Sequence, residues 1–149
     1  MNNLFATIYE ALFGLYEAKF SLIFDTLFDY GGYNLLGFTF LVIPLMMFAG
    51  FYFLWKYPYG KFWHWLLWLI ITFIITSGIS LGISNNEIFL SENQQLIDAL
   101  ADPESGYEQY AYTLPLKYAF FNGLLSLIIG FLYSLILKQF SKIQIHLPF

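Results

Sequence analysis

Residues 62–84 read FWHWLLWLIITFIITSGISLGIS, an unbroken apolar run with no charged side chain and four aromatic rings among its first seven residues. A helix needs about 20 residues to cross the roughly 30 Å of hydrocarbon in a bilayer, and this run supplies them. The tryptophans at its start suit the headgroup level, where an amphipathic ring keeps one edge in lipid and one in water. A half-buried soluble helix or strand would show polar residues recurring at the period of its exposed face. No charged or amide side chain does so here, and lipid is the solvent the stretch calls for.

Two further runs, 34–55 and 116–137, have the same character. The first has no charge and a single proline, Pro44, which a membrane helix tolerates because neighbouring groups re-satisfy the freed carbonyl. The second follows Pro115, has Lys117 at its start and is closed by Lys138. The whole chain agrees with them: of 149 residues, 59% are hydrophobic, 23% aromatic and only 11% charged, against roughly 25% charged in soluble domains. The expected fold is an all-α integral membrane protein, one membrane domain over 1–149, with transmembrane helices at 34–55, 62–84 and 116–137.

Orientation follows from the lysines, since cytoplasmic loops retain positive charge during insertion. Lys56 and Lys61 flank one turn, and Lys138 and Lys142 follow the last span. Both regions are expected in the cytoplasm. The 85–115 connection carries Glu87, Glu92, Asp98, Asp102, Glu104 and Glu108 with no lysine or arginine, and is expected to be an acidic extracytoplasmic loop. Lys117 beside it is a weak contrary vote. The pattern fits a bacterial inner membrane, and equally an organelle membrane. Within the loop, Ser91 followed by Gln94 has the spacing of a capping box, and Leu96, Ile97 and Leu100 form a short apolar edge. One short helix is expected there, resting on the membrane surface or a neighbouring subunit. The amino terminus lacks the basic residues and cleavage site of a signal peptide, so the first helix is expected to stay in the mature protein.

The stretch 4–28 reads as one helix with a narrow polar stripe, because Thr7, Glu10, Gly14, Glu17, Ser21 and Asp25 recur at steps of three or four among Leu, Phe, Ile and Tyr. Such a helix either lies at an interface or packs in an oligomer, or it is a fourth span with its stripe toward water or protein. Surface helices usually carry basic residues, and this one has Lys19 alone. A spanning helix would place Glu17 near mid-membrane, at about 3 kcal/mol unless neutralised, paired or hydrated. Both topologies satisfy the lysine rule, so both stay open.

Small residues mark the contact faces. Gly123, Ser126, Gly130 and Ser134 form a continuous seam on the third span, and Gly78 and Gly82 form a GxxxG pair on the second, beside Thr72, Thr76 and Ser80. Asn122 is the one strong amide in a span and is expected to hydrogen-bond a neighbouring helix. Spans two and three are expected to pack together through these faces within one subunit, with packing between subunits as the alternative.

Several function classes are excluded. No GxxxxGK or GxGxxG cradles a phosphate, there is no cysteine, and His64 and His146 have no metal-site spacing. The net charge of −4 has the wrong sign for nucleic acid. No enzyme activity, cofactor or metal is expected. The size and span count are shared with small phage holins, accessory subunits of respiratory and secretion complexes and membrane effectors of defence systems, and no motif selects among them. The expected function is a non-enzymatic membrane subunit that anchors or assembles a homo-oligomer or larger membrane complex, its partners being the bilayer, copies of itself or other subunits. The alternative is a homo-oligomeric, cation-preferring channel or pore, of holin or defence-effector type, lined by the stripe of the first helix.

Overall fold

The computed structural model describes residues 2–14, 18–55 and 61–142. Among them are α1 (Asn2–Phe13), a single 3-10 turn (Ala18–Phe20), α2 (Ser21–Asp29), α3 (Gly32–Phe53), α4 (Phe62–Phe89), α5 (Gln94–Ala101) and α6 (Tyr107–Lys138), with no strand among the described residues. Glu17, Lys56 with most of its turn, His146 and the tail beyond residue 142 lie outside the described residues. Three helices, α3, α4 and α6, are long and apolar enough to cross a membrane. The protein is an all-α membrane protein.

Each span begins and ends for a local reason. Gly31 and Gly106 sit in the left-handed region, at φ 75° and 76°, immediately before α3 and α6. Only glycine takes that conformation without steric cost, so each sharply turns the chain into the following helix. The α6 helix therefore starts nine residues before the expected 116. Pro115 does not mark its start but lies inside α6: its ring removes one backbone bond and crowds the fourth carbonyl before it, which a membrane helix tolerates because neighbouring groups re-satisfy the freed backbone. Likewise α4 runs to Phe89 instead of 84, carrying Asn85, Asn86 and Glu87 out of the apolar layer. At 28 and 32 residues, α4 and α6 measure about 42 and 48 Å. Both exceed the hydrocarbon thickness, and their polar extensions project together at the end of the bundle that carries α5.

The expected continuous helix 4–28 is two helices. Gly14 closes α1, its N–H donating to the Glu10 carbonyl at 2.8 Å, and α2 begins at Ser21. Packing explains the break. α1 lies along the bundle, with Phe5 against Phe38 and Phe40 of α3 and Phe13 against Tyr118 and Phe121 of α6. α2 instead crosses the end of the bundle on α3, α4 and α5. A straight helix would have carried Ile23, Phe24 and Leu27 beyond the bundle, whereas the bend buries all three.

The end cap is finished by α5. Its N-cap is Asn93 and not Ser91: the Asn93 side chain accepts from the Gln95 and Leu96 backbone N–H groups and donates to Thr26 Oγ1 of α2 at 2.8 Å. Leu96 is fully buried and Leu100 packs beside it, so α5 rests on α2 and α6 of its own chain while Ile97 stays exposed. The Tyr107 hydroxyl donates to the Lys19 carbonyl at 2.7 Å and the Tyr110 hydroxyl to the Phe13 carbonyl at 2.9 Å. Phe20 stacks on Tyr110 with 4.4 Å between ring centroids. Tyr107 and Tyr110 thus tie the 3-10 turn and the end of α1 to α6.

Candidate functional site

Helices in lipid gain little from burying apolar surface, so close packing and hydrogen bonds hold them together. In this bundle those bonds gather at Asn122. Its side-chain nitrogen donates to Ser80 Oγ of α4 at 2.9 Å and to the Leu36 carbonyl of α3 at 3.0 Å. Its side-chain oxygen accepts from the Tyr9 hydroxyl of α1 at 2.6 Å. One amide therefore joins four helices at one depth, with Tyr9, Ser80 and Asn122 all fully buried. Burial pushes the Tyr9 phenol well above the usual tyrosine range, against a smaller lowering from Asn122. Tyr9 is a neutral donor.

The seam around Asn122 lets α4 and α6 approach. A Cβ on Gly123 would strike the Ser77 hydroxyl and come within 2.7 Å of the Phe73 ring, and one on Gly130 within 2.7 Å of the Phe48 ring of α3. Opposite this seam, Thr72, Thr76, Ser80 and Ser84 recur every fourth residue and are all buried. Several of these hydroxyls are returned to their own helix: Thr72 donates to the Trp68 carbonyl, Ser84 to that of Ser80 and Ser126 to that of Gly123. Ser134 does more. It accepts from Trp65 Nε1 at 2.8 Å and pairs with the Tyr52 hydroxyl at 2.6 Å, a second polar joint of α3, α4 and α6 at the far end of the bundle.

Gly78 and Gly82 lie elsewhere. Nothing stands within 4 Å of a Cβ built on either, and both are exposed, so the GxxxG pair takes no part in the contact between α4 and α6. Thr76 and Ser80 occupy that contact instead.

The stripe of the amino-terminal segment does not form one surface. Thr7 and Glu10 belong to α1 and Ser21 and Asp25 to α2, while Gly14 sits in the turn closing α1 and Glu17 is outside the described residues. Thr7, Ser21 and Asp25 are exposed and Glu10 is half-buried. The side chains that seat α1 are Phe5, Ala6 and Tyr9, from its apolar face. Sequence reasoning missed Tyr9, Tyr52 and Trp65 as bonding partners of the polar seam. Nothing local marks them, since Tyr9 and Asn122 are 113 residues apart. Among the described residues, no three of His, Cys, Asp and Glu come together as a metal-binding set. No known protein family, characterised protein or solved structure matches this chain.

Proposed function

We propose that the chain is a non-enzymatic membrane subunit that assembles with a second copy of itself through the outward face of α4. One observation carries this reading: Gly78 and Gly82, the GxxxG pair, lie open on the outside of the bundle while the glycines of α6 are consumed inside it. Leu67, Ile70, Ile74, Gly78 and Leu81 share that outward face and are exposed. Burial agrees, since only 17% of the most apolar window of α4 is covered within the chain, against 44% for α3 and 28% for α6. In lipid a bare apolar face needs no cover, but a pair of glycines four apart lets a second backbone approach closely. A face that pairs with itself closes by two-fold symmetry, which favours another copy of α4 as the occupant.

The chain has no cysteine, so single cysteines introduced at Ile70 or Ile74 report this contact cleanly. Both are expected to cross-link in native membranes. Gly78→Leu is expected to abolish the cross-link and the dimer in detergent while leaving the thermal midpoint of the monomer within about 2 °C, because nothing inside the chain touches that site. A dimer that survives Gly78→Leu together with Gly82→Leu would refute the interface.

The lysine bias supports an orientation with 85–115 outside the cytoplasm and the carboxyl terminus inside. Reporter fusions at residues 100 and 149 are expected to report opposite sides. The same side for both would overturn the topology. The alternative pore reading asks for a stripe running across the bilayer. At 12 residues, α1 is about 18 Å long, little over half of the roughly 30 Å required, and the assembly reading stands ahead of it.

A further inference from the structure

Contacts with α3 and α6 fix the depth of α1. Near the α5 end, α4 turns polar at Asn85, Asn86 and Glu87, which marks one edge of the apolar layer. Gly32, the first residue of α3, stands at that edge, since a Cβ there would lie 3.3 Å from Glu87 Cγ. From it α3 descends at about 1.5 Å per residue, placing Gly37, Phe38 and Phe40 about 8–12 Å inside the layer. Phe5 of α1 packs at this depth, its ring centroid 5.9 Å from those of both Phe38 and Phe40 and in the space that a Cβ on Gly37 would need. Tyr9 is higher, stacked on Tyr33 at the start of α3, and the Phe13 carbonyl accepts from Tyr110 in the first turn of α6. The sequence agrees with these levels: Leu4 to Tyr9 hold no charge, and Glu10 follows as the helix reaches the edge.

We propose that α1 is a half-span confined to the leaflet on the α5 side, so that the protein is a wedge whose preferred lipid surface is a bilayer convex on that side. Through this leaflet pass α1, α3, α4 and α6, whereas among the described residues only α3, α4 and α6 continue through the other. Helices have similar cross-sections, so the fourth widens one leaflet by about a third. The 3-10 turn, α2 and α5 cover the same end and add to the imbalance. Leu4, Ala11 and Leu12 are exposed along α1 and face the acyl chains of that leaflet. Helices that occupy one leaflet bind in a curvature-sensitive way, and those lying on the surface usually use basic residues to do so. α1 has none. Its hold on the bilayer is apolar and comes from its seat on α3 and α6.

Depth and wedge are tested separately. The chain has no cysteine, so single spin labels at Leu4→Cys, Ala11→Cys and Val42→Cys, all exposed positions, report depth in bilayers by collision with oxygen and with a water-soluble nickel chelate. Val42 lies about 15 Å below Gly32 along α3 and serves as the mid-bilayer reference. The Leu4 label is expected at the depth of the Val42 label and the Ala11 label near the headgroups. Equal, shallow depths for Leu4 and Ala11 would make α1 a surface helix and overturn the half-span. For the wedge, Glu104→Cys protein, carrying its thiol at the exposed α5 end, is reconstituted into small sonicated and large extruded vesicles of zwitterionic phosphatidylcholine. An impermeant maleimide then measures the ratio of molecules with the α5 end outside to those with it inside. That ratio is expected to be at least about twofold higher in the small vesicles, whose outer leaflet is the more convex. The same ratio in both would overturn the wedge, whatever the depth of Leu4.

Discussion

Gly123→Leu is expected to prevent the bundle from closing. A Cβ alone at this position would meet the Ser77 hydroxyl and come within 2.7 Å of the Phe73 ring, and a leucine adds three more carbons to the same space. Overpacking of a fitted core costs about 1–3 kcal/mol when neighbours can shift. Here the neighbour is a whole helix, and moving α4 also withdraws Ser80 from Asn122. The folded, monodisperse fraction in detergent should therefore collapse. Gly82→Leu supplies the control, being the same exchange on a membrane helix where open space surrounds the site. Equal thermal midpoints for these two variants would remove the close-packed seam from the account.

Asn122→Leu is expected to release α1 while leaving the three spans in place. Leucine has the same branched side-chain skeleton as asparagine but neither donates nor accepts, so Tyr9, Ser80 and the Leu36 carbonyl each lose a bond at once. Individual hydrogen bonds between membrane helices average about 0.6 kcal/mol and reach about 1.7, which puts the total near 2–4 kcal/mol once the stranded Tyr9 hydroxyl is included. Most of that loss falls on α1, since α3, α4 and α6 also share the Ser134 joint and the glycine seam. Hydrogen exchange followed by mass spectrometry should show α1 amides exchanging at least about tenfold faster, with α4 and α6 nearly unchanged. Unaltered exchange in α1 would mean that Phe5 and Ala6 seat it without the amide.

The sequence was legible where lipid imposed a rule on every residue of a segment. The apolar runs at 34–55, 62–84 and 116–137 found the three spans because a spanning helix cannot hide a charge. The small residues of α6 were readable for the same reason: Gly123, Ser126, Gly130 and Ser134 share one face, and a helix in lipid has no other use for such a seam. Ends were harder. Pro115 suggested a helix start, whereas Gly106 sets it, and Ser91 suggested a cap that Asn93 supplies, since a capping side chain is chosen by where the helix lands on its neighbours. The first thirty residues were the least legible. Their polar spacing is real, but the bend after α1 is imposed by distant helices, and no local pattern in Thr7, Glu10, Ser21 or Asp25 registers where the bundle ends. Tyr9 and Tyr52 were invisible as partners because tyrosine is common at membrane interfaces, where its presence needs no other explanation.

The seat of α1 has a consequence for how the protein is made. The first helix in the chain closes on Tyr118, Phe121 and Asn122, which are synthesised more than a hundred residues later, and on Gly37, where a Cβ would collide with the Phe5 ring. Chains emerge at about 5–20 residues per second, so α1 meets α3 early and then waits several seconds more for Tyr118, Phe121 and Asn122. It is too short to be held by the bilayer as a span, and docking it closes a loop through nearly the entire chain. The seat of α1 is therefore completed only when α6 is in place. Until then α1 rests on α3 alone, through Phe5 and Tyr9, with the Tyr9 hydroxyl still lacking Asn122.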